Sequence, residues 1–168
     1  MGFHFVEVMF VPQTARLLLM RLAAKFLTSA RIIKVQFYGT IIVFWSTWNT
    51  DFFHQIDNQN QFSLWNPQNA SNTTTFTNQT RELLSLLAVE ATLTPELYAV
   101  GELDVAVGGS NKLCGLVQCT RDLSSSDCFK CLDGIIGELP NCCNGKIGGR
   151  VVTGSCNIRH EIYPFFSF

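Results

Sequence analysis

Charged side chains are scarce in this chain, and the few basic ones are unevenly placed. Only 15% of the residues are charged, and twelve basic residues nearly balance thirteen acidic ones. Residues 1–34 hold five of the basic residues and one of the acidic ones, which leaves seven basic and twelve acidic residues in the remainder. A body with this balance lacks the basic face that nucleic-acid binding requires, so we expect no nucleic-acid partner.

Long apolar runs are also missing. The run VQFYGTIIVFW at 35–45 has eleven residues, which is enough for a signal-peptide core and too short to cross a bilayer. The stretch LLLMRLAAKFL at 17–27 is amphipathic and basic, as in a transit peptide or a helix lying on a membrane surface. Residues 1–47 contain no cysteine or aspartate. They are therefore interpreted as an atypical apolar and basic segment, which is either a targeting-like segment or a misread stretch of the protein sequence.

Residues 48–168 read as a single domain with mixed secondary structure. The stretch 75–93 is typical of a helix that Thr75 caps, with four apolar residues on one face: Phe76, Leu83, Leu84 and Leu87. Two strands, 96–107 and 113–120, flank a turn at 108–111. Two β-rich stretches surround Cys156 within 148–165. Helices and sequential strands in this order predict an α+β domain with an antiparallel sheet.

A second helix is predicted after Ser124, which with Asp127 forms a start like a capping box. Pro140 is expected to end this helix. Its apolar stripe consists of Phe129, Leu132, Ile135, Ile136 and Leu139.

All seven cysteines lie in this domain, and they favour disulfides over a metal site or a redox site. A zinc site usually needs two cysteine pairs or cysteine with histidine, but the chain has one C-x-x-C, between Cys128 and Cys131, and no matching histidine pair. A thioredoxin-like motif would leave the other cysteines unexplained. A disulfide framework accounts for the density best, and we expect no metal and no cofactor.

Three N-glycosylation sequons support an oxidising compartment. They begin at Asn69, Asn72 and Asn78. Glycosylation uses the same secretory route that forms disulfides, so the two features agree.

Several motifs of residues 48–168 resemble the ginkbilobin-homologous domain, also called the stress-antifungal domain. They are FFHQIDNQNQFSLWN, GLVQCTRDLSSSDC, and ELPNCCNGKIGGRVVTGSCNIRHEIYPF. The domain occurs in plant cysteine-rich receptor-like kinases and cysteine-rich secretory repeat proteins, and this chain is most similar to the second ectodomain repeat of such kinases. The resemblance implies an antiparallel sheet packed against two helices, located outside the cell or at its surface.

The resemblance also implies the bridges Cys119–Cys128 and Cys131–Cys156. The family has a further cysteine near the start of its domain, bonded to the position of Cys143, but here that position falls near Val43. Cys114, Cys142 and Cys143 are consequently left as unpaired or uncertain thiols. We therefore expect an N-terminally incomplete domain of marginal stability, with homo-oligomers through the spare cysteines as one outcome.

An antifungal member of the family binds mannose through an Asn, an Arg and a Glu. The Arg and the Glu match Arg150 and Glu161, but the Asn falls near Phe44, which cannot supply an amide's hydrogen bonds. The alternative reading is that Arg150 and Glu161 form an ion pair between strands, which contributes little at a surface.

No arrangement of residues indicates catalysis. His160 and Glu161 are neighbours on a predicted strand, where adjacent side chains point to opposite faces. We therefore interpret the domain as a non-catalytic extracellular interaction module of receptor-like-kinase ectodomain type, in plant stress or defence signalling. The alternative function is a mannose-binding, lectin-like antifungal protein. The expected partner is accordingly an extracellular protein or a cell-wall carbohydrate.

Overall fold

In the computed structural model the chain separates into two compact units, residues 1–53 and 54–168. The structure describes residues 34–38, 41–45, 53–57, 61–107 and 110–166. In the first unit, β1 (Lys34–Tyr38) and β2 (Ile41–Trp45) form an antiparallel hairpin. Only the backbone of this hairpin is described, so the side chains of Val43 and Phe44 lie outside the described part, as does the whole stretch 17–27.

The second unit is a five-stranded sheet with helices. Its elements are β3 (Phe62–Trp65), α1 (Thr73–Thr92), β4 (Tyr98–Val107), β5 (Ser110–Cys119), α2 (Ser125–Gly137), α3 (Leu139–Cys142), β6 (Gly148–Val152) and β7 (Cys156–Glu161). The strand order is β3-β6-β7-β5-β4, and every neighbouring pair is antiparallel. This confirms the predicted α+β fold with two principal helices. None of the helices in the described ranges is long and apolar enough to span a membrane.

Helix α1 lies across the sheet because its apolar face meets strands that carry glycine. The four predicted core residues of α1 are buried. A Cβ atom at Gly101 or Gly115 would approach a Leu87 methyl carbon to 2.9 Å, so these glycines let the helix sit close to β4 and β5. The helix begins earlier than predicted, because the Asn72 side chain accepts a hydrogen bond from the Thr75 backbone N–H. The predicted cap at Thr75 is therefore wrong.

Strand β4 begins at Tyr98 rather than at residue 96. Leu97 has a φ of 51°, in the left-handed region that side chains with a Cβ rarely adopt. The chain cannot continue as an extended strand through such a residue. Leu97 is nevertheless buried, and its carbonyl accepts a hydrogen bond from the Cys119 N–H, so packing and pairing hold the turn in place.

Helix α2 starts as predicted and ends differently. Ser124 is the N-cap, its hydroxyl accepting from the Asp127 N–H. Four residues of the predicted stripe are buried, but Phe129 is 41% exposed, so its assignment to the core is wrong. The helix ends at Gly137, and Pro140 instead lies in the first turn of α3, where its missing N–H costs nothing.

The two faces of the sheet carry different residues. Because side chains alternate along a strand, the register places Val117, Val151 and Ile158 on the helix side, where they are fully buried. Arg150 and Arg159 face the opposite side, directly across from each other on β6 and β7. This second face holds the residues that the sequence singles out for ligand binding.

Candidate functional site

Two disulfides attach helix α2 to the sheet. Cys119 at the end of β5 is bonded to Cys128, with Cα atoms 5.7 Å apart. Cys131, one turn later on α2, is bonded to Cys156 at the start of β7, with Cα atoms 6.2 Å apart. The four cysteines are buried, and each bridge joins the pair that the resemblance implies.

The remaining three cysteines are arranged in a way that the sequence reasoning missed. Cys142 and Cys143 are bonded to each other, so they are not the loose thiols expected. Cys114 is the free cysteine, and it is fully buried in β5. Burial, followed by the charge of Glu102, raises the pKa of its thiol, which makes the reactive thiolate scarce. The adjacency of Cys142 and Cys143 in the sequence was the signal from which their mutual disulfide could have been predicted.

The described residues contain no cluster of three or more His, Cys, Asp or Glu that could hold a metal ion. Asn69, Asn72 and Asn78 are all exposed, whereas Thr80, the hydroxyl residue of the third sequon, is buried. Asn72 caps α1 through its side-chain oxygen, so its amide nitrogen points away from that bond. Glycosylation at these three positions stays a prediction.

Arg150 and Glu161 lie on the same face of the sheet but do not pair. Glu161 accepts hydrogen bonds from both Nε and Nη2 of Arg159, each at 3.1 Å, through a single carboxylate oxygen, Oε1. The predicted ion pair between strands is therefore wrong. Arg159 binds the carboxylate because it lies two residues before Glu161 on β7, on the same face of the sheet. Arg150, by contrast, lies opposite Arg159 on the neighbouring strand.

Arg150 is left without an acceptor. No hydrogen bond or ion pair joins it to another residue of the described part of the chain. Its guanidinium is partly buried, and burial, followed by the charge of Arg159, lowers its pKa to about 10. We call the group Arg150, Arg159, Glu161 and Tyr163 the Arg150 site.

Tyr163 and Phe165 complete the surroundings of Arg159. The Arg159 Nη2 donates to the Tyr163 hydroxyl at 3.4 Å, and its guanidinium lies 4.0 Å from the centre of the Phe165 ring. Hydrogen bonds, an ion pair and a cation–π contact thus fix Arg159. This role of Arg159 was not predicted from the sequence.

His160 and Glu161 point to opposite faces, as their positions on a strand require. His160 is buried on the helix side, and its Nε2–H donates to the Lys146 carbonyl at 3.1 Å. Burial lowers the pKa of this histidine to about 4. The two neighbours cannot act on one substrate, and His160 is a core residue.

A second accessible surface lies on the outer side of α1. Leu86 and Val89 of the helix are 64% and 50% exposed, and Leu93, its C-cap, is 80% exposed. Their spacing of three and four residues aligns them along one side of the helix and its cap. We call these three residues the α1 stripe. The exposed carboxylates of Glu82 and Glu90 flank it. The prediction of this helix considered only its buried face and missed the stripe.

Comparison with known proteins supplies the family. The sequence model of the salt stress response/antifungal family matches residues 64–163. The chain belongs to this family. An antimicrobial ginkbilobin-2-like protein of Castanea crenata is 56% identical over 70% of this chain and 48% of its own length. Cysteine-rich repeat secretory protein 38 of Arabidopsis thaliana is 53% identical over 78% of this chain and 51% of its own length.

Solved structures of stress-antifungal domains show the same fold. The tandem DUF26 ectodomain of the Arabidopsis thaliana cysteine-rich receptor-like protein PDLP8 matches 70% of this chain and 52% of its own length, with a TM-score of 0.56 and 26% identity. The corresponding ectodomain of PDLP5 has a TM-score of 0.51 at 23% identity, and covers 73% of this chain and 54% of its own.

The chain spans about half the length of the curated relatives it matches. Cysteine-rich repeat secretory protein 38 is secretory by its name and the PDLP8 match is a receptor-type ectodomain, so the stress-antifungal domain of this chain is an extracellular, disulfide-containing domain.

Proposed function

We propose that this stress-antifungal domain is a non-catalytic extracellular interaction module that binds a protein partner through the α1 stripe. The observation that carries the proposal is the exposure of three large apolar side chains in one row on the outer side of α1. Single exposed apolar residues are normal on protein surfaces, whereas a contiguous apolar patch marks an interaction site.

The stripe can contribute enough free energy to hold a partner. Burying one Val or Leu side chain stabilises a contact by about 1.5–3 kcal/mol, and the ordering of a rigid helix is already complete before binding. The carboxylates of Glu82 and Glu90 lie beside the stripe, and no ion pair joins them to a cation within the described residues. The partner should therefore present an apolar surface with basic side chains at its edge.

The names of the relatives support a role in plant stress or defence signalling. The family is described by salt stress response and antifungal activity, and the structural matches come from cysteine-rich receptor-like proteins. A receptor ectodomain acts by binding another molecule outside the cell, which is the role proposed for this domain.

The alternative of mannose binding has support in the antimicrobial name of the Castanea crenata relative. The contacts of the Arg150 site argue against it. Glu161, which would accept hydrogen bonds from sugar hydroxyls, already binds Arg159 through Oε1, and the third family contact falls at Phe44. We therefore expect mannose binding to be weak or absent, and titration calorimetry with mannose and mannan measures it.

The experiment that tests the protein partner uses Arabidopsis thaliana protoplasts. The fluorescently labelled, secreted chain should bind their surface saturably, and prior treatment of the cells with a protease should abolish the binding. The triple variant Leu86→Ser, Val89→Ser, Leu93→Ser should bind at least tenfold more weakly, since it removes the apolar contacts. All three positions are exposed, so the variant is expected to keep the fold.

The matched control replaces three exposed polar residues of the same unit that lie outside α1, Gln68→Ser, Asp133→Asn and Asn141→Ser, and should bind like the parent chain. Equal binding by the parent and the stripe variant would contradict the proposal. Binding that survives protease and disappears with added mannan would instead support the lectin alternative.

A further inference from the structure

We propose that the disulfide between Cys142 and Cys143 is a thiol-exchange site. A small thiol such as glutathione opens the bond and stays attached to Cys142, while Cys143 becomes a buried thiol beside His160. This modification goes beyond the proposed protein partner and uses none of the residues of the α1 stripe.

The Cys142–Cys143 bond differs from the two bridges of α2 because it joins no separate elements. Cys142 is the last residue of α3 and Cys143 is its C-cap. The bonded residues are 1 apart in the sequence, against 9 and 25 for the other two bridges. A disulfide stabilises a fold mainly through the loop that it closes. Opening this bond should therefore leave the fold intact.

Bonding between adjacent residues also makes the Cys142–Cys143 disulfide the easiest of the three to reduce. The peptide bond holds its two Cα atoms 3.8 Å apart. Disulfides usually join Cα atoms about 4.4–6.8 Å apart, and departures from this range make them more reducible. The bridges of α2, at 5.7 Å and 6.2 Å, lie within the range, so a thiol should open the Cys142–Cys143 bond first.

The burial of the two sulfur-bearing residues determines which of them an incoming thiol attacks. Cys142 is half-buried and has the exposed Asn141 and Asn144 on either side in the sequence, whereas Cys143 is only 4% exposed. Exchange depends on which sulfur a thiolate can reach. The attack therefore falls on Sγ of Cys142, and Cys143 is the leaving group on the side of the core.

His160 lies where the departing thiol needs a hydrogen-bond acceptor. A Cβ atom on Gly149 would lie 2.6 Å from Cε1 of His160 and 3.2 Å from Sγ of Cys143, so the ring and the sulfur flank the same glycine. Nε2 of the ring is used by the Lys146 carbonyl, and the buried Nδ1 has no partner among the described residues. An unpaired buried acceptor is costly, and a thiol at Cys143 supplies an S–H donor.

The exchange balances without an external oxidant. The small thiol releases its proton to solvent, and its thiolate forms a bond to Sγ of Cys142 as the Cys142–Cys143 bond breaks. Cys143 leaves with the electron pair, takes up a proton and donates its S–H to Nδ1 of His160. The small thiol is oxidised and Cys143 is reduced. Burial disfavours the Cys143 thiolate that would reverse the step, so the adduct should persist, with His160 as a positioning residue.

The test exposes the full secreted chain to reduced glutathione at a concentration that leaves both bridges of α2 intact, followed by acid quenching and mass spectrometry. We expect one glutathione per chain, located on Cys142 by non-reducing peptide mapping. The number of thiols that react after denaturation should rise from one, at Cys114, to two. The variant Cys142→Ala/Cys143→Ala should take up no glutathione, whereas Cys114→Ala, the matched control, should take up one.

The role of His160 is tested by two substitutions. His160→Leu removes the acceptor and should lower the yield of adduct at least threefold, whereas a general loss of stability would expose the bond and raise the yield. His160→Gln offers an amide oxygen in place of Nδ1 and should restore the yield of the parent chain.

Several results would overturn the proposal. They are a free dithiol at Cys142 and Cys143 without adduct, glutathione on another cysteine, no adduct before the bridges of α2 open, or an unchanged yield in a folded His160→Leu variant. Should His160→Leu fail to fold, the mapping of the parent chain and of the two cysteine variants still decides. The α1 stripe variant should take up glutathione normally, so this proposal and the protein-partner proposal fail independently.

Discussion

His160 shows how one residue connects the packing of the core to the stability of the domain. Its ring lies 6.2 Å from that of Phe76, between α1 and the sheet. Nε2–H donates to the Lys146 carbonyl, and Nδ1 has no partner among the described residues. This is the pattern of a neutral imidazole, because protonating Nδ1 would bury an unpaired donor and a charge.

We predict that the free energy of unfolding decreases as the pH falls, because of His160. Its folded-state pKa of about 4 lies below the ordinary value of 6.5, so the unfolded chain binds the proton first as pH falls. The contribution is complete above pH 6.5 and is lost progressively below it, amounting to roughly 2 kcal/mol between pH 7.5 and pH 5. Denaturant unfolding at these two pH values measures it.

His160→Gln keeps an N–H donor for the Lys146 carbonyl but does not titrate. Between pH 7.5 and pH 5, the free energy of unfolding of this variant should therefore change by that much less than the free energy of unfolding of the parent chain. His54→Gln is the matched control, since His54 is exposed, and it should retain the pH dependence of the parent chain. The same pH dependence in His160→Gln and in the parent would contradict the assignment.

The partners of individual side chains were the least predictable part of the site. Arg150, Arg159 and Glu161 lie on one face of the sheet, but their residue types do not reveal which arginine binds the carboxylate. That choice depends on the register of β6 against β7 and on the space left by Gly148. Neither can be inferred from residue types alone.

At the scale of elements, helix α2 depends on its two bridges. It is tied to β5 by Cys119–Cys128 and to β7 by Cys131–Cys156, so it cannot leave the sheet without breaking a covalent bond. Loops of 9 and 25 residues correspond to a stabilisation of about 3 kcal/mol each in the chain-entropy account.

We predict that peptide mapping under non-reducing conditions will find these two bridges, with Cys142 and Cys143 in one oxidised peptide and one thiol at Cys114. That thiol should react with an alkylating reagent only after denaturation, since it is buried. The double variants Cys119→Ala/Cys128→Ala and Cys131→Ala/Cys156→Ala should each lose about 3 kcal/mol of unfolding free energy. Alkylation of these four cysteines in the native chain, or a covalent dimer through Cys114, would contradict the arrangement.

The elements themselves were largely predictable, because their signals are local. Apolar periodicity located both helices, and the pair Ser124 and Asp127 located the start of α2. The errors arose where tertiary contacts decide. Phe129 has the right spacing for the core but no element covers it, and Leu97 breaks β4 through a backbone conformation that no residue type at that position announces.

At the scale of the whole domain, the sheet separates two surfaces of different chemistry. The α1 stripe is apolar and edged by carboxylates, whereas the opposite face of the sheet carries Arg150 and Arg159 with the carboxylate of Glu161. The sequence indicated the family and the cysteine framework, but exposure of the stripe became visible only once the buried face of α1 was known.

The expectation of spare thiols also changes at this scale, whereas the expectation of marginal stability stays a prediction. Six of the seven cysteines are bonded within the chain, and the seventh is buried. Association with a partner should therefore rest on noncovalent contacts, such as those proposed for the α1 stripe.

Site-specific photocrosslinking from the stripe tests this central claim most directly. A benzophenone amino acid replaces Val89, and in a second chain it replaces Asp133 on the exposed side of α2. On illuminated Arabidopsis thaliana protoplasts, the Val89 chain should form a discrete protease-sensitive adduct that excess unlabelled parent chain suppresses, and the Asp133 chain should not. No adduct from Val89, or equal adducts from both positions, would contradict the account.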